Sequence, residues 1–120
     1  MSHTNRYNTR ELGEQFRSGA EKGWISTKNL RIEAVAEGVT VLMSYGAVIA
    51  KRDANAREIV VYDGWRGFSQ TTATHMGKAL SRRHDDDHNP VRDYCERNGF
   101  EYRESRESPR LSDLETGVEA

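Results

Sequence analysis

A single cysteine, Cys95, excludes an internal disulfide and a cysteine-rich zinc site. Nowhere do about 18 apolar residues follow one another, so no segment is built to cross a membrane as a helix. No charged-then-apolar leader opens the sequence, and a cytoplasmic protein is expected. An excess of one charge is also missing. Eighteen basic residues face nineteen acidic ones, for a net charge of -1. Non-specific nucleic-acid binders usually carry a clear basic excess, so any such contact must come from a local patch. Apolar residues are scarce, 35% against 31% charged over 120 residues, which limits the chain to one domain with a small core. A homodimer is expected on the same ground, because association adds the burial that a small core lacks.

What is present reads as α+β. Residues 1–7 are polar and aperiodic, a flexible arm. Asn8 with Glu11 three residues later has the form of a capping box, and Leu12, Phe16 and Ala20 then recur at helical spacing. Gly19 to Gly23 should end that helix. Leu30, Ile32 and Ala34 alternate with Asn29, Arg31 and Glu33, which is strand period, and Glu37-Gly38 is a turn signal. Val39 to Ser44 is apolar on both faces and is placed centrally in a sheet. Ala47 to Ala50 continues after Gly46, and Glu58 to Tyr62 follows a turn at Asp53 to Ala56. A second helix is expected from near Ser69 to Arg83. A short third helix is expected from Pro90, with Val91, Tyr94 and Cys95 on one face and Gly99 at its end. A short strand around Phe100 to Arg103 would close a domain spanning residues 8–103. Residues 104–120 hold too few apolar positions to offset their ordering entropy and read as a disordered tail. The expected architecture is an antiparallel sheet of three to four strands packed on two to three helices.

The run from Val41 to Ala50 (VLMSYGAVIA), then a strand, a tryptophan loop and Ser69 to Leu80 (SQTTATHMGKAL), resembles a family of small uncharacterised proteins of tailed phages, prophages and plasmids. Their shared core is L-x-S-Y-x-T-x-V-A followed by S-x-T-T-x-x-H. The likeness covers residues 39–80 and departs at Ala47, where the family often has threonine, and at Ile49. It implies a mobile-element origin and a small α+β fold, and supplies no reaction.

The candidate site residues cluster between the last long strand and the second helix. Ser69, Thr71 and Thr72 place hydroxyls at a helix N-terminus, where free N–H groups and the dipole favour an anion. Arg66 adds a charge just upstream, and His75 one turn in adds a donor when protonated. Capping accounts for the same hydroxyls, and a packed His75 for the histidine. Trp65 in the loop is either a core anchor or an interface aromatic. Ser44, Tyr45 and His75 invite a nucleophile assignment, but no orienting acid, oxyanion hole or G-x-S-x-G elbow accompanies them; Tyr45 beside Gly46 reads as a bend whose ring covers the core. His84, Asp85, Asp86, Asp87 and His88 have metal-ligating side chains, yet three adjacent carboxylates favour a solvated loop, and neither metal nor cofactor is expected. The expected function is therefore a non-catalytic accessory protein of a phage or mobile element that binds a host or viral protein. The alternative is a nucleic-acid- or nucleotide-binding module built on the helix that starts near Ser69.

Overall fold

The computed structural model describes residues 6–62, 79–80, 90–105 and 109. Helix α1 spans Thr9–Arg17, and the expected capping box starts it. The Asn8 side chain accepts from the Glu11 backbone N–H at 2.8 Å, and Glu11 Oε1 accepts from the Asn8 N–H at 3.1 Å. Leu12 and Phe16 form its buried stripe. Gly13 is buried for a separate reason: a Cβ there would lie 1.9 Å from the Ala79 carbonyl oxygen. The glycine that weakens the helix in isolation is what allows this approach of backbone to backbone. Gly19, at φ +98°, follows the C-cap Ser18 and turns the chain away.

Six strands follow in one sheet, ordered as in the chain: β1 (Gly23–Trp24), β2 (Leu30–Ala36), β3 (Val39–Ser44), β4 (Ala47–Asp53), β5 (Glu58–Tyr62) and β6 (Glu101–Ser105). Helix α2, Pro90–Asn98, precedes β6. The α+β class stands, but the sheet is larger than the three to four strands expected, and it is mixed. Every neighbouring pair is antiparallel except β5 and β6, which run parallel. Two physical reasons account for the difference. β1 is two residues long, too short to show an alternation. β6 is separated from β5 by residues 63–100, and a connection of that length allows a parallel neighbour where a tight turn would deliver an antiparallel one. β6 also takes in Glu104 and Ser105, the first residues assigned to the tail; the rest of the tail, Pro109 apart, lies outside the described residues. At the other end Arg6 bridges Trp24, and the Tyr7 N–H donates to the Trp24 carbonyl at 2.9 Å, so the arm's last two residues join the sheet.

The turns are the ones read from the residue types. Gly38 sits at φ +78° between β2 and β3. Asp53 Oδ1 accepts from the backbone of Asn55 and Ala56, and Asn55 Nδ2 donates to the Glu37 carbonyl, which ties the two turns together. The register of β3 against β4 shifts between Leu42 and Met43, leaving Ile49 as the extra residue of a bulge. Ile49 and Ala50 consequently share the larger core cluster while Val48 belongs to the smaller one.

The larger cluster lies under the helices: Leu12 and Phe16 of α1, Val91 and Cys95 of α2, Ala79 and Leu80, and Leu30, Ile32, Leu42, Ile59 and Val61 of the strands. The smaller one gathers Val41, Met43, Val48, Val60 and Tyr62 on the opposite face. β3 is buried along almost its whole length, as its two apolar faces predict.

Candidate functional site

The residues singled out from sequence, Trp65, Arg66, Ser69, Thr71, Thr72 and His75, lie outside the described residues, as do the His84 to His88 run and most of the expected second helix. What is described are the two ends of that stretch. Tyr62 closes β5 inside the smaller cluster, where burial, and secondarily Glu58, push its phenol above the usual tyrosine range against the opposing pull of Arg103. Ala79 and Leu80 sit in the larger cluster. The Ser44 hydroxyl of the rejected nucleophile set is on a fully buried residue. Among the described residues no three His, Cys, Asp or Glu side chains group as metal ligands.

Tyr45 is a feature that sequence reading misplaced. It occupies the tight connection between β3 and β4 at φ +57°, a left-handed conformation that costs a non-glycine residue roughly 1–2 kcal/mol. Its ring does not cover the core: it is 44% exposed, the large apolar side chain most open to solvent among the described residues. Its backbone is held from both sides. The Tyr45 N–H donates to the Asn29 carbonyl at 2.7 Å, and Arg31 Nη1 donates to the Tyr45 carbonyl at 3.2 Å. Arg31 is itself fixed by an ion pair with Glu33 and reaches Met43 Sδ. Strain of this kind persists where the surroundings over-determine the residue, and such residues concentrate at binding and switch sites. Alternation alone could not have separated an aromatic that caps the core from one turned outward, because the deciding variable is φ at the turn.

Arg52 is the second feature, and its environment was equally hidden in the sequence. It leaves β4 on the helix-covered face, donates Nε to the Arg17 carbonyl at 2.9 Å, and lies over the Phe100 ring at 4.7 Å from the centroid. It thereby satisfies an open carbonyl at the end of α1. Tyr94 packs on Phe100 with ring centroids 6.1 Å apart, and its hydroxyl is 3.4 Å from Arg52 Nη2.

No helix among the described residues is long and apolar enough to cross a membrane. A family model matches residues 4–96, described as a family of unknown function (DUF8033). No curated protein and no solved structure matches the chain.

Proposed function

The chain belongs to DUF8033, and from that premise we propose that it is a non-catalytic accessory protein of a phage or other mobile element, acting by binding a host or viral protein. The observation that supports this reading is Tyr45: an exposed aromatic held in a strained turn at one end of the β3–β4 hairpin. Tyrosine is among the residues enriched at interface hot spots, since it offers a large contact area with few rotatable bonds to freeze. The mobile-element origin rests on the likeness of residues 39–80 described above.

Capture from the lysate of the natural host, with the wild-type chain against Tyr45→Asn, tests it. Asparagine tolerates a positive φ, so the turn survives the change. The expected result is one partner retained by the wild type at high salt and lost by Tyr45→Asn at unchanged melting temperature. Equal capture by both proteins overturns the role of Tyr45, and a parallel Trp65→Ala variant then asks whether the loop tryptophan holds the partner instead. The second reading, a nucleic-acid or nucleotide module using Arg66, Ser69, Thr71, Thr72 and His75, rests on residue types alone. It predicts binding that falls steeply with salt, which an apolar protein interface does not show.

A further inference from the structure

Arg17 ends α1, where a cation suits the helix dipole. Yet its side chain is partly buried, and among the described residues no oxygen accepts a hydrogen bond from it and no carboxylate pairs with it. Burial draws its pKa below the ordinary arginine value, with Glu14 and Tyr94 pulling the other way. A guanidinium removed from water with its fork of donors unmet is costly, and chains usually supply an acceptor.

The described neighbours do not supply one. Arg52 is committed to the Arg17 carbonyl, the Phe100 ring and the Tyr94 hydroxyl, and likewise has no carboxylate partner among the described residues. Arg97 pairs with Asp93 at 3.3 Å across one turn of α2. Beside them opens a cleft of about 330 Å³ lined by Arg17, Pro90, Asp93, Tyr94, Arg97 and Asn98. Its described lining holds two guanidinium groups, Arg17 and Arg97, against the one carboxylate of Asp93, a residual positive charge among the described residues.

We propose that the cleft between the end of α1 and α2 is an oxyanion site that takes a phosphate group, gripped by the Arg17 guanidinium with Tyr94 and Arg97 at its sides. A carboxylate has two oxygens and is satisfied by one guanidinium fork. A phosphate group has three or more, enough to meet donors from both helices at once. The site is built from residues other than Ser69, Thr71 and Thr72 and is independent of the reading built on Tyr45.

Nuclear magnetic resonance on the full chain tests it, with inorganic phosphate as the probe. Saturable shifts are expected for the Arg17 and Arg97 side-chain Nε–H signals and the Asn98 amide, with half-saturation at about 1 mM. Arg17→Gln should weaken the response about tenfold or more, the worth of a charge-assisted hydrogen bond. Among the described residues Arg17 has no acceptor to lose, so the melting temperature of that variant should fall by only the few degrees its helix-dipole interaction is worth, which separates lost binding from lost folding. O-phosphoserine binding more tightly than inorganic phosphate would assign the site to a phosphorylated side chain, and the reverse order to the free anion. Shifts that do not saturate, shifts unaffected by Arg17→Gln, or acetate matching phosphate at equal concentration would each overturn the proposal.

Discussion

The two faces of the sheet solve the same burial problem with different means. On one, α1 and α2 lay Leu12, Phe16, Val91 and Cys95 over the strands, and the cluster mixes leucine, isoleucine and an aromatic. On the other, the cluster draws on strands alone among the described residues. It is mostly valine, with Met43 and Tyr62, and partly buried Val35 packs against it. Its border is charged: Arg31 pairs with Glu33 on β2, and Arg103 of β6 pairs with Glu58 of β5 at 3.1 Å. The helical face gains large side chains that reach between layers. The second face uses short β-branched ones that pack along the pleat, and its ion pairs are partly exposed and worth little each. Shape therefore fixes the first face, and strand register fixes the second.

The sharpest way to break this contrast is Phe16→Ala. Phe16 is 0% exposed beneath α1, and its truncation should cost about 3–5 kcal/mol, read from denaturant midpoints at constant slope. A loss near that of a surface change would mean that α1 is not seated as described. Val48→Ala makes the matching probe of the second face. Val48 is also 0% exposed, and losing its two methyl groups should cost about 2 kcal/mol. A cost below about 0.5 kcal/mol, the range of surface substitutions, would show that the second face is open rather than closed.

The smallest effect is chemical. Cys95 lies in the helix-covered cluster, and burial pushes its thiol from 9.0 to about 11, with Glu96 adding to the rise and Arg52 opposing it. The native state thus prefers the protonated thiol. Its contribution to stability is complete below about pH 9 and is lost as pH rises through about 11. At pH 8 the thiolate fraction, and so the rate with an aromatic disulfide reagent, should be about 100-fold below that of the unfolded chain. Equal rates in the native and denatured protein would contradict a closed helical face.

Much of this frame was legible because it is written in local chemistry. Asn8 and Glu11, Gly38, Asp53, Pro90 and Gly99 each act on their own neighbours, and each lies where its residue type placed it. The burial of β3 on both faces followed from Val39 to Ser44 alone. What was not legible depends on contacts distant in the chain. Arg52 read as one more strand charge, and only the packing of α1 and α2 around it reveals a cap and a cation over Phe100. Gly13 read as a weak point until Ala79 was beside it. Tyr45 was misread because neighbouring residue types do not report its φ. The candidate site was legible least of all: Ser69, Thr71 and Thr72 are types that cap helices as readily as they bind anions, Trp65 and His75 types that pack in a core as readily as they bind, and the cleft at Arg17 is assembled from two helices far apart in sequence.

The parallel pairing of β6 has a consequence for how the chain is made. β1 to β5 each find their neighbour across a short turn, so the meander can assemble as it leaves the ribosome. β6 cannot join until residues 63–100 have also emerged. During that interval Ile59, Val60 and Val61, fully or almost fully buried in the finished fold, sit on an unpaired edge, the kind of template on which nascent chains stick to one another. The sheet's last strand is therefore a seal as much as a support, and a chain stopped before Glu101 is expected to precipitate with its first five strands already paired.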